Sequence, residues 1–245
     1  MKATPAEQQE LLRLQSIDTR LAQLAHRLGA LPQSAALADL GAKDDAIRRS
    51  RAEAVGVLED AKAELGRLES DVAMVEARIA RDGDRLTHTA SMKDVSALES
   101  ELASLRKRLS DLEDAELAVM EKVDAAQSAV TVIDDERAAI GVQISRLEAE
   151  RDEAAAGLTT ERDQAERDRA TVAGGIPEAL LAFYEQRRVR GGGVGAALLQ
   201  HRTCGGCTIT LTGSDLESVR RAAPDDVVQC PECDRILVRT DESGL

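Results

Sequence analysis

The stretch VSALESELASLRKRLSDL, residues 95–112, decides the fold of this 245-residue chain. Its apolar residues recur in alternating steps of three and four, at Val95, Leu98, Leu102, Leu105, Leu109 and Leu112. The same spacing continues, with polar interruptions, to Val172. A period of about 3.5 residues is typical of the apolar seam of a left-handed coiled coil. The stretch therefore predicts one long helix over residues 91–174.

Two earlier stretches carry the same spacing, from Leu14 to Leu31 and from Leu37 to Ile79. They are out of register at Pro32. Proline removes a helical N–H and clashes with the preceding turn, so we predict that a helix ends or kinks near Leu31.

The turn between the long helices is predicted at residues 83–91. Ser91, with Asp94 three residues later, is the pattern of a helix N-cap. Segments 5–83 and 91–174 are nearly equal in length, which favours an antiparallel helical hairpin. We therefore predict a mainly α fold, in which a long coiled-coil hairpin spans residues 1–175 and a small α+β zinc-ribbon domain spans residues 176–245.

The register of the hairpin is predicted by folding the chain back about residue 87. Pro32 then lies opposite Gly141 and Val142, and Asp44 lies opposite Val130, within a heptad of Arg137. An ion pair between Asp44 and Arg137 would fix the register. We favour the alternative, in which both side chains extend into solvent.

The composition argues against a compact enzyme. Phe183 and Tyr184 are the only aromatic residues, whereas 31% of the chain is charged. Compact cores use aromatic side chains to fill volume, while such a charged, leucine-rich and alanine-rich chain is typical of long helices. His26, His88 and His201 are too far apart in the predicted fold to build a catalytic set, so we expect no enzymatic activity. The net charge of −13 would repel nucleic acid along most of the chain.

The only four cysteines form two Cys-x-x-Cys pairs, Cys204-Gly205-Gly206-Cys207 and Cys230-Pro231-Glu232-Cys233. Each pair can present two thiolates to one ion, and together they complete a tetrahedral sulfur shell that suits Zn²⁺. Four protein ligands leave no coordination position for water or substrate. We therefore predict one structural zinc ion, which stabilises a module with little core of its own.

Three alternatives to zinc stay open, namely two disulfides, a thioredoxin-like redox pair or an iron–sulfur cluster. Residues Met1 to Pro5 lack the apolar core of a signal peptide, and no 18-residue apolar run follows. We therefore expect a cytoplasmic protein without a membrane partner, and disulfides are rare in the cytoplasm. His201, three residues before Cys204, could replace a ligand, but we expect it at the surface.

A small β module is predicted around the cysteines. The long helix should end at Gly174, and a short helix should begin at Pro177. Gly191 to Gly195 is interpreted as a flexible joint rather than a nucleotide-binding loop. Ser214 is predicted to cap a helix through Ala222. Four strands are predicted at 194–200, 209–211, 227–228 and 236–238.

Six arginines of this module are candidates for binding nucleic acid or another partner: Arg187, Arg188, Arg190, Arg202, Arg220 and Arg221. Clustered arginines can neutralise backbone phosphates. Acidic residues lie beside them, however, and we favour the interpretation that they form an ordinary charged surface.

The same residues carry a family resemblance. A long hairpin is followed by Pro177-Glu178-x-Leu180-Leu181-x-x-Tyr184, a glycine-rich basic joint, the first cysteine pair and Cys230-Pro231-Glu232-Cys233-Asp234-Arg235-Ile236-Leu237. The chain resembles the bacterial family of coiled-coil hairpin proteins with a C4-type zinc ribbon, typified by FlgZ and CdsZ. The resemblance covers the whole chain and is specific over 177–238. The family often has an aromatic residue at the hairpin tip and a Tyr in place of Val238.

The resemblance implies an adaptor, because members are linked to flagellar or secretion systems, to the sigma-54 factor and to RNA. It carries the four cysteines over as zinc ligands and supplies no catalytic residue. Two functions therefore compete. We favour a cytoplasmic scaffold that binds protein partners through the coiled coil and the ribbon. The alternative is a regulator that binds RNA or DNA through the ribbon arginines.

Overall fold

The computed structural model describes all 245 residues and divides into two compact units. One, here the ribbon unit, consists of Met1–Ser34 together with Ala149–Leu245. The other, here the hairpin unit, consists of Ala35–Glu148. The boundary predicted at residue 175 falls inside the ribbon unit, because the N-terminal helix shares a core with the C-terminal module.

Five α-helices and four strands follow one another along the chain. The helices are α1 (Pro5–Gly29), α2 (Pro32–His88), α3 (Met92–Gly174), α4 (Glu178–Arg190) and α5 (Gly213–Arg221). The strands are β1 (Ala196–Gln200), β2 (Thr203–Cys204), β3 (Val228–Gln229) and β4 (Ile236–Val238), and a short 3₁₀ helix covers Asp241–Ser243. None of the helices is both long enough and apolar enough to cross a lipid bilayer.

The helix boundaries follow from proline and from the caps. α1 ends at Gly29 and α2 begins at Pro32, which confirms the predicted break. The tip is shorter than predicted, because α2 continues through Gly83 to His88 and leaves three residues before α3. At the start of α3 the N–H of Asp94 donates to Ser91 Oγ at 3.5 Å, in agreement with the predicted cap.

The buried residues of α3 within the hairpin unit occupy the predicted seam. They are Leu102, Leu112, Val119, Ala126, Val130 and Ile140. From α2, Leu58 joins Ala126 and Val130 in one buried cluster. The coiled-coil hairpin predicted from the three-four spacing is therefore confirmed.

The register differs from the prediction by about one heptad. Arg137 Nε donates to Asp44 Oδ1 at 2.9 Å, so Asp44 pairs with Arg137 instead of lying opposite Val130. Our preference for two solvent-directed side chains was therefore wrong. Arg51 and Asp134 form a second pair across the helices, at 2.5 Å. The shift arises because α2 extends past Gly83, which moves the fold-back point towards the C-terminus.

The predicted neighbours of Pro32 change with the register. Pro32 lines a shallow groove with Ala154, Gly157 and Leu158 rather than facing Gly141 and Val142. All these groove residues belong to the ribbon unit. The prediction for Pro32 was therefore wrong, and its neighbours are displaced by more than the one heptad found at Asp44.

In the ribbon unit the strands form one sheet in the order β2-β1-β4-β3. β1 and β4 are parallel, whereas β2 and β3 pair antiparallel with their neighbours. The N-terminus runs beside the segment that leads into β3: Ala3 N–H donates to the carbonyl of Asp225 at 2.8 Å, and Val227 N–H donates to that of Met1 at 3.1 Å. The first residues of the chain therefore belong to the ribbon.

Side chains alternate across this sheet and build two cores. Ile236 and Val238 of β4 point to one face, and Leu237 between them points to the other. The first core joins α1 and α4 to the sheet and includes Leu11, Leu14, Leu180 and Tyr184. The second lies between the sheet and α5 and includes Leu199, Val219, Cys204 and Cys230.

Two local predictions in the ribbon were wrong. Residues 209–211 form no strand; Thr210 makes only an isolated bridge with Thr203. α5 begins at Gly213 after Thr212 in an extended conformation, so Ser214 lies inside the helix and is not its cap. The strands expected near 194–200 and 236–238 are present as β1 and β4.

Candidate metal centre

The two cysteine pairs fold into equivalent tight turns. The N–H of Thr208 donates to the carbonyl of Cys204 at 2.8 Å, and the N–H of Asp234 donates to that of Cys230 at 2.9 Å. Thr208 and Asp234 both adopt the left-handed conformation, with φ of 61° and 59°. Each turn therefore reverses the chain directly after its second cysteine and leaves both thiols on its inner side.

The four sulfur atoms have the spacing of a tetrahedral metal site. Cys204 Sγ lies 3.9 Å from Cys233 Sγ, and Cys207 Sγ lies 3.8 Å from Cys230 Sγ. All four sulfurs lie within 4.8 Å of one another. Zinc–sulfur bonds of about 2.3 Å in a tetrahedron place the sulfurs roughly 3.8 Å apart, whereas a disulfide needs about 2.05 Å. The donor set therefore fits one zinc ion.

Burial and hydrogen bonding act on the thiols in opposite directions. Burial raises the pKa of Cys204, and it raises the pKa of Cys230 to about 12. Burial also acts to raise the pKa of Cys233, but the backbone N–H and the guanidinium of Arg235 donate to its sulfur and lower it overall. Binding a metal cation must therefore release protons from the buried thiols.

Arg235 ties the two turns together. Its Nη1 donates to the carbonyl of Gly206 in the first turn at 3.2 Å, and its backbone carbonyl accepts from Cys230 N–H in the second at 2.9 Å. The aliphatic part of Arg235 packs so close to Gly206 that a Cβ there would lie 2.6 Å from Arg235 Cδ. Only glycine fits at this position without displacing Arg235.

The other predicted site residues lie on separate elements. His201 sits exposed in the β1–β2 turn, and its backbone N–H donates to the carbonyl of Glu242 at 2.9 Å. The group of side chains that can hold a metal contains cysteines alone. Among the arginines, Arg187, Arg188 and Arg190 end α4, Arg202 lies in the β1–β2 turn, and Arg220 and Arg221 end α5.

Most of these six arginines already have partners within the chain. The Arg187 guanidinium lies 4.8 Å from the centre of the Phe183 ring, and Arg188 pairs with Glu185 at 2.8 Å. Arg202 Nε donates to the carbonyl of Gly244, and Arg220 and Arg221 both pair with Glu217. The arginines form three groups, each held by its own neighbours, and their role in binding stays a prediction.

Sequence reasoning missed a buried polar cluster between α1 and α4. Tyr184 OH donates to Asp18 Oδ2 at 2.7 Å, and Arg169 Nε donates to Asp18 Oδ1 at 2.5 Å. Glu185 accepts from Arg169 and Arg188. Gln15 completes the cluster by accepting from Gly195 N–H at 2.7 Å. The only signal for it was the single tyrosine, because a buried phenol needs a hydrogen-bond partner.

The charges of this cluster stabilise one another. Burial, and then the neighbouring Asp18 carboxylate, raise the pKa of Tyr184 well above its ordinary value. The hydrogen bond from Arg169 to Asp18 likewise raises the pKa of the arginine. Burial acts to raise the pKa of Glu185, but the hydrogen bonds from Arg169 and Arg188 lower it overall. At neutral pH the cluster therefore contains a neutral Tyr184 phenol, a cationic Arg169 and an ionised Glu185.

A helical hairpin joined to a four-cysteine ribbon defines a class of protein, and sequence comparison agrees with it. The chain belongs to the CT398-like coiled coil hairpin family, whose model matches residues 14–192. A C4-type zinc ribbon domain matches residues 203–237 and includes all four cysteines. Four cysteines that lie close together in a C4-type zinc ribbon fit one structural zinc ion.

Mycobacterial proteins are among the similar chains. The protein Rv2229c of Mycobacterium tuberculosis is 35% identical over 98% of both chains. A solved structure from Mycobacterium smegmatis is 32% identical, covers 98% of this chain and 100% of its own, and has a TM-score of 0.87. CT398 from Chlamydia trachomatis, 21% identical over 96% of this chain and 98% of its own, shares the fold with a TM-score of 0.65. The more specific likeness to FlgZ and CdsZ stays a prediction.

Proposed function

We propose that the protein is a non-enzymatic adaptor that binds protein partners along its hairpin unit, while the zinc ribbon serves as a structural module. The observation that carries the proposal is a row of exposed apolar side chains on α3, here the outer stripe: Leu117, Val132 and Val142. They are 60%, 66% and 71% exposed. None belongs to the seam.

The outer stripe has helical spacing. Leu117 and Val142 are separated by about seven turns of 3.6 residues, and Val132 lies within about a fifth of a turn of the same line. Their 15- and 10-residue separations place them roughly 22 and 15 Å apart along the helix, so they are separate apolar points and not a contiguous patch. A long partner helix could pack against all three points along one side of α3.

The chemistry of the metal centre supports a structural role. Four thiolates fill the coordination shell of zinc and leave no position for substrate. The three histidines lie on different elements: His26 on α1, His88 at the end of α2 and His201 in the β1–β2 turn. These positions give no nucleophile–base pair a shared site.

Protein is favoured over nucleic acid as the partner. Five of the six candidate arginines are held by contacts inside the chain, and the net charge is −13. A nucleic-acid site needs cations free to meet phosphates, and binding would weaken steeply with salt. The regulator that binds RNA or DNA is therefore the second candidate.

Crosslinking in native cells tests the proposal with the tagged full-length chain. We expect crosslinked protein partners that survive nuclease treatment and are lost when Leu117 and Val132 are both changed to Lys. The matched control changes Ala118 and Gln127 to Lys, because these exposed residues of the same helix lie about 100° around it from Leu117 and about 140° from Val132, respectively. Partners that persist in the stripe variant, or crosslinks to nucleic acid alone that disappear with nuclease, would contradict the proposal.

A further inference from the structure

One short turn between α4 and β1 contacts both the zinc site and the first helix. The turn comprises Gly191–Gly195 and is here called the glycine turn. It was expected to be a flexible joint, but it is held by hydrogen bonds from both sides. That expectation was therefore wrong, and the turn is a fixed connection between two parts of the ribbon unit.

From the side of the metal centre, the turn is held by Arg235. Arg235 Nη2 donates to the carbonyl of Gly191 at 2.8 Å, and Nε donates to that of Val194 at 3.2 Å. Arg235 follows Cys233 by two residues and also donates to Gly206 in the first cysteine turn. The position of this guanidinium therefore depends on both cysteine turns, which a bound metal holds together.

From the side of α1, the turn is held by Gln15. Gln15 Nε2 donates to the carbonyl of Gly193 at 3.1 Å, and Gln15 Oε1 accepts from the N–H of Gly195 at 2.7 Å. The side chain is buried, with 8% of the residue exposed. Its amide thus pairs with both a donor and an acceptor of the turn, which a side chain without hydrogen-bonding groups could not do.

Close packing makes the connection stiff. A Cβ on Gly195 would lie 2.7 Å from the carbonyl oxygen of Tyr184 and 2.9 Å from its ring. Tyr184 in turn donates to Asp18 of α1. A displacement of the turn therefore disturbs the buried contacts of α1 as well as the guanidinium beside the thiols.

We propose that zinc binding and the docking of α1 are coupled through the glycine turn, with Gln15 and Arg235 as the positioning residues. Coupling between two binding events is reciprocal: if zinc strengthens the docking of α1, then docked α1 strengthens zinc binding by the same factor. A substitution on α1 that contacts no cysteine must therefore weaken zinc binding. The coupling is independent of which partner the hairpin unit binds.

Zinc affinity of the full-length chain, measured by competition with a chromogenic chelator, tests the coupling. Gln15→Met keeps the length of the side chain but leaves a buried donor and acceptor of the turn unpaired, so we expect affinity to fall about tenfold. Arg235→Lys should also weaken zinc binding, but Arg235 donates to Cys233 directly, so Gln15→Met is the variant that tests the coupling. Gln9→Met on the exposed face of α1 is the matched control and should bind zinc as the unchanged chain does.

Hydrogen exchange of the unchanged chain supplies the converse measurement. We expect removal of zinc by a chelator to accelerate amide exchange in residues 11–18 of α1 while exchange in Ala35–Glu148 stays constant. This hydrogen-exchange experiment still tests the coupling if Gln15→Met prevents the ribbon unit from folding. The proposal is overturned if a folded Gln15→Met chain binds zinc as tightly as the control, or if exchange in α1 does not respond to zinc.

Discussion

The hairpin unit and the ribbon unit are stabilised in different ways. In the hairpin unit the buried residues repeat along two helices, so a seam contact such as that of Leu58 resembles those a heptad away. In the ribbon unit Gln15, Asp18 and the four cysteines each occupy a position that no other residue duplicates. The loss of one contact should therefore stay local in the hairpin unit and spread in the ribbon unit.

The largest effect is expected from removing one zinc ligand. Cys204→Ser or Cys230→Ser should reduce bound zinc from about one ion per chain to near zero, because zinc supplies folding free energy on the order of 10 kcal/mol to such modules. We expect the sheet to disorder and α1 to lose its docking site, while α2 and α3 remain helical. Metal analysis and circular dichroism provide the measurement.

Thr210→Ser, at an exposed position between the cysteine pairs, is the control for these variants. A cysteine variant that retained stoichiometric zinc would contradict the four-cysteine site. A variant that lost most of its helical signal would show that the hairpin unit also depends on zinc.

Equivalent leucine substitutions should differ between the two units. Leu237 is fully buried between strands and α5, whereas Leu58 lies 6% exposed in a two-helix seam. We expect Leu237→Ala to lower the free energy of unfolding of its unit by about 4 kcal/mol and Leu58→Ala by about 2 kcal/mol. The seam loses less because it can collapse or admit water more easily than a closed core. Hydrogen exchange at increasing urea concentrations gives the free energy of unfolding of each unit separately and so measures both losses. Equal losses would remove the contrast between the units.

Acid should weaken the ribbon unit through Glu185. Its pKa is lowered in the folded chain, so its ionised form contributes stability that is fully present above its ordinary pKa of 4.5 and lost as pH falls through the lower folded value. Because Glu185 is partly exposed to solvent, we expect Glu185→Gln to lower the free energy of unfolding of the ribbon unit by only about 1 kcal/mol at pH 7. The loss should be much smaller at pH 3. The exposed Glu178→Gln is the control. A cost for Glu185→Gln that did not change with pH would contradict the ion-pair account.

The smallest effect is expected at Asp44 and Arg137. Their side chains are 23% and 43% exposed, and ion pairs of this kind contribute about 0.5 kcal/mol or less. A double-mutant cycle with Asp44→Asn and Arg137→Gln measures the coupling. A coupling above about 2 kcal/mol would instead mean that this single pair determines the register.

The hairpin could be predicted because its signal is local and repeated. Every buried position of α3 in the hairpin unit, from Leu102 to Ile140, lies on the three-four spacing. The register could not be predicted from that spacing, because a seam that repeats every seven residues is satisfied equally well after a shift of one heptad. The predicted fold-back point at residue 87 assumes that Gly83 ends α2. Gly83 instead lies inside α2, which continues to His88.

The metal centre was predictable for a chemical reason, while its surroundings were not. Four cysteines in two close pairs have few uses other than metal binding, whatever the fold around them. Gln15 and Asp18, by contrast, are polar residues on an amphipathic helix and resemble a solvated face. Their partners Tyr184 and Gly195 lie more than 160 residues away, and nothing in the spacing links them.

X-ray absorption at the zinc edge of the full-length protein tests the central claim most directly, namely that four cysteines alone hold one structural ion. We predict one zinc per chain with four sulfur neighbours at about 2.3 Å and no nitrogen or oxygen neighbour. Three sulfurs with one nitrogen would implicate His201 and contradict the closed tetrathiolate site. A protein isolated with its thiols oxidised to disulfides and without zinc would contradict the account altogether.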